Sequence, residues 1–63
     1  MQSHLKEIMK VQGRTQNWLS EKAGVSTTSI SSIVNNKSVP TLLVALRIAK
    51  ALDKSVEEIW SED

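Results

Sequence analysis

A chain of 63 residues with a formal net charge of +1, 40% apolar and without Cys, is long enough for one small domain and has no disulfide to staple it. The longest apolar run, Leu42 to Leu46, is five residues, which excludes a membrane-spanning helix and gives no signal-peptide core. Residues 1–63 are therefore expected to form a single soluble, cytoplasmic domain.

The near-neutral total hides an uneven distribution. Residues 1–52 hold seven Lys and Arg against Glu7 and Glu21, a net of +5, and residues 53–63 hold Lys54 against five acids, a net of −4. Mixed charge of this kind keeps a small protein soluble. It also describes a basic face with an acidic end pointing away from it.

Sparse punctuation at Gly13, Gly24, Asn35-Asn36 and Pro40 divides the chain into short segments with helical patterns. The first, from Ser3 to Gln12, places Leu5, Ile8, Met9 and Gln12 on one face, with Ser3 as cap and Gly13 at the exit. The second opens at the cap Thr15 and runs to Ala23, with Leu19 and Ala23 inward, small Ser20 beside them, and Gly24 as the stop.

The third segment, from Ser26 to Val34, is the ambiguous one. Six of the seven residues from Ser26 to Ser32 are Ser or Thr, which favour caps, turns and strands. Five such residues inside a helix cost about 0.5 kcal/mol each relative to Ala, roughly 2–3 kcal/mol in total. Burying Ile30, Ile33 and Val34 on one helical face returns about 1.5–3 kcal/mol each. A strand would send Ile30 and Ile33 to opposite faces, with no second strand to pair against. The spacing therefore predicts a helix that depends on its neighbours.

A fourth helix is expected from the cap Thr41 to Leu52, with Leu42, Ala45, Leu46, Ala49 and Leu52 as its buried stripe. Leu43, Val44, Ile48 and Ala51 spread apolar character further, so this helix needs cover on more than one side. The last segment, Ser55 to Trp60, opens with a Ser55–Glu58 capping box and offers Val56, Ile59 and Trp60 for contact.

Two short helices joined by Gly24-Val25-Ser26 make a helix-turn-helix pattern. Val25 plugs the turn, and Ile30 and Ile33 hold the second helix to the body. Thr27, Thr28, Ser31 and Ser32 are left outward, the geometry in which a second helix enters a major groove.

From Leu5 to Trp60 the chain resembles the XRE/Cro-type helix-turn-helix of phage repressors and small bacterial regulators. The resemblance rests on the order and spacing of several features: Thr-Gln at 15–16, Gly-Val-Ser at 24–26, Ile30-x-x-Ile33, Pro-Thr-Leu at 40–42 and Ile-Ala-Lys-Ala-Leu at 48–52. It implies an all-α, compact five-helix lambda-repressor-like fold. It also implies DNA binding as a transcriptional regulator, usually as a dimer on a two-fold operator. By position it puts Thr27, Thr28 and Ser32 toward bases with Ser29 and Ser31 flanking, Gln16 near a phosphate, and Asn35 and Lys37 in a loop that meets the backbone.

Departures from the family pattern fall at Met9 and Val34, where relatives often pair Arg with Glu. An apolar contact between the two is expected instead, an exchange that can be neutral or stabilising. Arg14 replaces an aliphatic residue, Trp18 a polar one, and Asn36 a Gly whose left-handed conformation Asn tolerates.

In this reading Arg14, Gln16, Ser29, Asn35 and Lys37 meet phosphates, with Lys10 and Lys22 as weaker candidates. Thr27, Thr28, Ser31 and Ser32 face the bases. The recognition helix has no Arg, Lys, Gln or Asn before Asn35 and so lacks long bidentate readers. Specificity then rests on hydroxyls, methyls, bridging waters and DNA shape. Leu43 and Val44, joined by Val56 and Trp60, are candidates for a homodimer contact; the alternative for them is cover for the small core. Trp18 is expected to pack on the stem of Lys10 or Arg14; the alternative for it is a partner-binding patch.

Enzyme chemistry finds no support. His4 is the sole His, with no metal-binding partner, and there is neither a Gly-rich phosphate loop nor a nucleophile–base pair. No cofactor, metal or small-molecule ligand is expected. The competing reading is an interaction module of the same fold, such as an antitoxin or a regulator controlled by a protein partner.

Overall fold

Local sequence signals become hydrogen bonds in the computed structural model, which describes residues 2–61. Five helices form: α1 (Leu5–Gln12), α2 (Gln16–Ala23), α3 (Thr27–Val34), α4 (Leu42–Leu52) and α5 (Val56–Ile59). Four begin at a hydroxyl cap. Thr15 Oγ1 accepts from the Trp18 amide, Ser26 Oγ from Ser29, Thr41 Oγ1 from Val44 and Ser55 Oγ from Glu58, at 3.1–3.3 Å. Each such cap stabilises its helix by about 1 kcal/mol. The Ser55–Glu58 box is complete, and hydrogen bonds from Ser55 hold the exposed Glu58 carboxyl below the ordinary carboxylate range. Its ion pair with Lys54, 3.8 Å away at the surface, adds little.

The ambiguous segment is a helix, and the reason is burial. Ile30, Ile33 and Val34 are 0%, 3% and 6% exposed, while Thr27 and Thr28 face solvent. They meet Leu5 and Met9 of α1, Leu19 and Ala23 of α2, Ala45, Ile48, Ala49 and Leu52 of α4, and Ile59 in one core. Met9 and Val34 are both buried, in the core that α1 and α3 share, and both line one notch.

The turn between α2 and α3 is built as its residues suggest. Gly24 takes φ +69°, a left-handed conformation that costs other residues about 1–2 kcal/mol. The Val25 amide donates back to the Ser20 carbonyl at 3.1 Å, and Ser20 Oγ donates to the Val25 carbonyl. Ser20 thus latches the turn as well as being small.

Four expectations are corrected. The chain ends make a two-stranded antiparallel pair, β1 (Gln2–Ser3) with β2 (Trp60–Ser61), which no alternating pattern announced. This pairing holds Ser3 extended, so His4 starts α1 without a side-chain cap and Ser3 Oγ accepts only from the Leu5 amide. It also ends α5 at Ile59: Trp60 is extended, 7% exposed, and part of the core.

The buried stripe of α4 is displaced too. Ile48 is fully buried, whereas Leu42 and Leu46 are 72% and 51% exposed. Ala45, Ile48, Ala49 and Leu52 are related by i, i+3, i+4, i+7 as well as the expected set was; an all-round apolar helix leaves its own rotation undecided. Glu62 and Asp63, counted in the acidic end, lie outside the described residues.

Candidate nucleic-acid interface

The outward flank of α3 carries hydroxyls because its inward flank takes every aliphatic side chain. Thr27 and Thr28 are exposed and Ser31 and Ser32 half-buried. With Gln16 of α2 and Asn35 and Lys37 of the following loop, they line one open depression of about 410 Å³. Its lining contains one charge, the Lys37 ammonium, and no carboxylate. The surface offers donors and acceptors of short reach with a cation at its rim.

The fold fixes these groups individually. Gln16 is the first residue of α2, directly after the Thr15 cap. Asn35 Nδ2 donates to the Ser31 carbonyl at 2.9 Å and approaches Ser31 Oγ at 3.4 Å, which holds the amide along α3. The Lys37 amide donates to the Ser32 carbonyl at 2.8 Å, folding the loop back over the helix end. Asn36 takes φ +59°, and its Oδ1 accepts from the Ser3 amide at 3.0 Å, tying the loop to β1. That tie was invisible in sequence because its partners are 33 residues apart.

Two of the expected phosphate contacts stand apart from the depression. The Ser29 hydroxyl is exposed but engaged by Ser26 Oγ at 3.0 Å in the α3 cap. Arg14 lies at the α1–α2 junction, its guanidinium carbon 4.3 Å from the centre of the Trp18 ring, so Trp18 packs locally as expected.

The four candidates for a subunit contact are dispersed. Leu43 is 58% exposed, Val44 and Val56 are half-buried against the core, and Trp60 is covered by it. Trp60 cannot serve as free surface, because the β1–β2 pairing turns it inward. Sequence reasoning missed Val39, Leu42 and Leu46, which with Leu43 form the largest exposed aliphatic residues beside Val11. The signal was available: α4 had more apolar residues than one buried stripe can use.

A helix pair joined by a Gly-centred turn, the second helix presenting a polar flank and held from behind by Ile residues, defines a helix-turn-helix domain. A helix-turn-helix family model matches residues 5–59. The chain belongs to this family, the XRE type, whose members are DNA-binding transcriptional regulators. It is 34% identical over a 64-residue alignment to YgzD of Bacillus subtilis strain 168, named as an uncharacterised HTH-type transcriptional regulator, covering all of this chain and 97% of that one. A regulator of the same description from Methanothermobacter thermautotrophicus is also 34% identical, covering all of this chain and 93% of that one.

The restriction-modification controller protein C.AhdI of Aeromonas hydrophila shares the fold with a TM-score of 0.83 at 23% identity, over 89% of this chain and 85% of the other. These likenesses bear out the five-helix reading. No helix among the described residues is long and apolar enough to cross a membrane.

Proposed function

We propose that this chain is a cytoplasmic, sequence-specific regulator, a repressor, that binds a two-fold operator in double-stranded DNA as a homodimer with α3 in the major groove. The observation that carries the reading is the gathering of Thr27, Thr28, Ser31 and Ser32 with Gln16, Asn35 and Lys37 on one open, carboxylate-free surface. An eight-residue helix is about 12 Å long, close to the width of the groove. Thr27 and Thr28 read base edges and thymine methyls with Ser31 and Ser32 beside them, while Arg14, Gln16, Asn35 and Lys37 meet phosphates. Ser29 acts through the cap.

Selection of bound sequences from random duplexes tests the base-reading assignment. The parent protein should yield a two-fold motif, and Thr27→Ala with Thr28→Ala should relax preference by about 1–3 kcal/mol at the affected positions. Unchanged preference in both variants would exclude these hydroxyls as the readers.

The longest extent of the domain is 28 Å. Equivalent faces of successive major-groove turns lie about 34–36 Å apart, so a two-fold operator calls for two copies. Leu43, with the likewise exposed Leu42 and Leu46 of the same helix, supplies an apolar surface suited to a self-complementary contact, and Val44 and Val56 pack against the core. Leu43→Glu with Leu46→Glu should leave the fold intact and shift sedimentation on DNA from two copies to one. A parent protein that stays monomeric at high concentration, free and on DNA, would remove the dimer.

The same exposed leucines favour a second reading, an interaction module that binds a different regulatory protein. Absence of any duplex binding by the parent protein would support it.

A further inference from the structure

Arg14 and Trp18 form a cation–π pair at the α1–α2 junction. Trp18 is half-buried and packs against the core with one side of its indole; Arg14 lies 4.3 Å over the ring. The Arg14 backbone is fixed as well, its amide donating to the Met9 carbonyl at 2.9 Å. A guanidinium held over an aromatic ring makes no hydrogen bond to it through its edge, and its N–H donors match a phosphate.

Arg14 opens onto a notch of about 320 Å³ between α1 and α2 that Lys6, Lys10 and Gln16 also line. Gln16 lines the α3 depression too, so the notch continues the base-reading surface outward. Among the described residues Lys54–Glu58 is the one ion pair, so no carboxylate there competes for these three cations.

We propose that Trp18 is a positioning residue: its indole braces Arg14 so that the guanidinium edge meets a DNA backbone phosphate flanking the half-site, with Lys6 and Lys10 extending the contact. This rests on the DNA-binding reading above and adds that the Arg14 phosphate contact depends on an uncharged residue. A flexible Arg must lose rotamer freedom to reach one phosphate. A pre-stacked Arg has lost much of it before the DNA arrives.

The test is a double-mutant cycle read by fluorescence anisotropy on a labelled 24-base-pair duplex of mixed sequence, at several salt concentrations. Trp18→Leu keeps an apolar plug without the π face, and Trp18→Phe keeps both. Trp18→Leu should weaken binding about three- to tenfold with the fold retained, and Trp18→Phe should recover most of it. Arg14→Ala should lower the log–log salt slope by about 1 per bound copy. In the Arg14→Ala background Trp18→Leu should have no further effect.

Arg14→Ala should also alter indole emission in the free protein, because Trp18 loses its cation while Trp60 stays buried. Additive losses from the two substitutions, or full affinity in folded Trp18→Leu, would overturn the bracing role and leave DNA binding standing. A parent protein that binds no duplex overturns the DNA-binding reading itself, and the bracing role with it.

Discussion

Ile30→Ala is expected to remove most of the stability of the domain. Ile30 is fully buried on the inward flank of α3, in the core that joins that helix to α1, α2 and α4. Truncating such a residue costs about 2–5 kcal/mol, from lost burial and the cavity left behind. A chain of this length has about 3–9 kcal/mol in total. Urea unfolding followed by far-UV circular dichroism should show the midpoint falling by about half or more, or a chain unfolded without denaturant. DNA binding should fall with it, since Thr27 and Thr28 are displayed by the helix that Ile30 anchors. Ser29→Ala, one residue earlier and exposed, should change stability by no more than about 0.5 kcal/mol: Ala gains helix propensity where the Ser26 hydroxyl loses a partner. An unchanged midpoint in Ile30→Ala would mean that α3 is not held in this way.

Affinity for duplex DNA should collapse with salt. Lys6, Lys10, Arg14 and Lys37 supply four cations per copy along the α1–α2 notch and the rim of the α3 depression, hence eight in a dimer. Each phosphate neutralised contributes about −0.9 to the slope of log affinity against log salt, and six to ten contacts cost about 10³–10⁵ in affinity between 50 and 200 mM. Titrations of one operator duplex across that range should show a loss of this order. Lys37→Ala should reduce the slope by about 1 per copy while lowering affinity for all sequences alike. The acidic helix α5 should not contribute, and Glu57→Gln should leave the slope unchanged. A flat response would move the function to the exposed leucines of α4 and to a protein partner.

Most of what mattered for the site was legible in the sequence through local chemistry. Caps at Thr15, Ser26, Thr41 and Ser55, the left-handed Gly24 and the spacing of Ile30 and Ile33 are written in adjacent residues. Once α3 is a helix with those two Ile inward, the exposure of Thr27 and Thr28 follows from the 3.6-residue period. The joining of Gln16, Asn35 and Lys37 to that flank came from the family resemblance, and the structure brings them together with it.

What failed did so for one physical reason: the outcome depended on partners far away along the chain. The β1–β2 pair unites residues about 58 positions apart, and its two-residue strands are too short to show a period. That pairing moved Trp60 from a proposed subunit contact into the core and left Ser3 unable to cap α1. The rotation of α4 was undecided for the same reason. Its residues offer two apolar stripes of equal quality, and packing against α2 chose the one containing Ile48, leaving Leu42, Leu43 and Leu46 at the surface.

By itself, then, the order of residues determined five helical segments, the turn chemistry between them and the hydroxyl flank of α3, because caps, glycines and helical periodicity act within a few residues of chain. Tertiary structure alone decided which face of α4 is covered, where the terminal segments go and which residues share a notch with Arg14. Those outcomes are set by competition among surfaces for a core too small to cover them all.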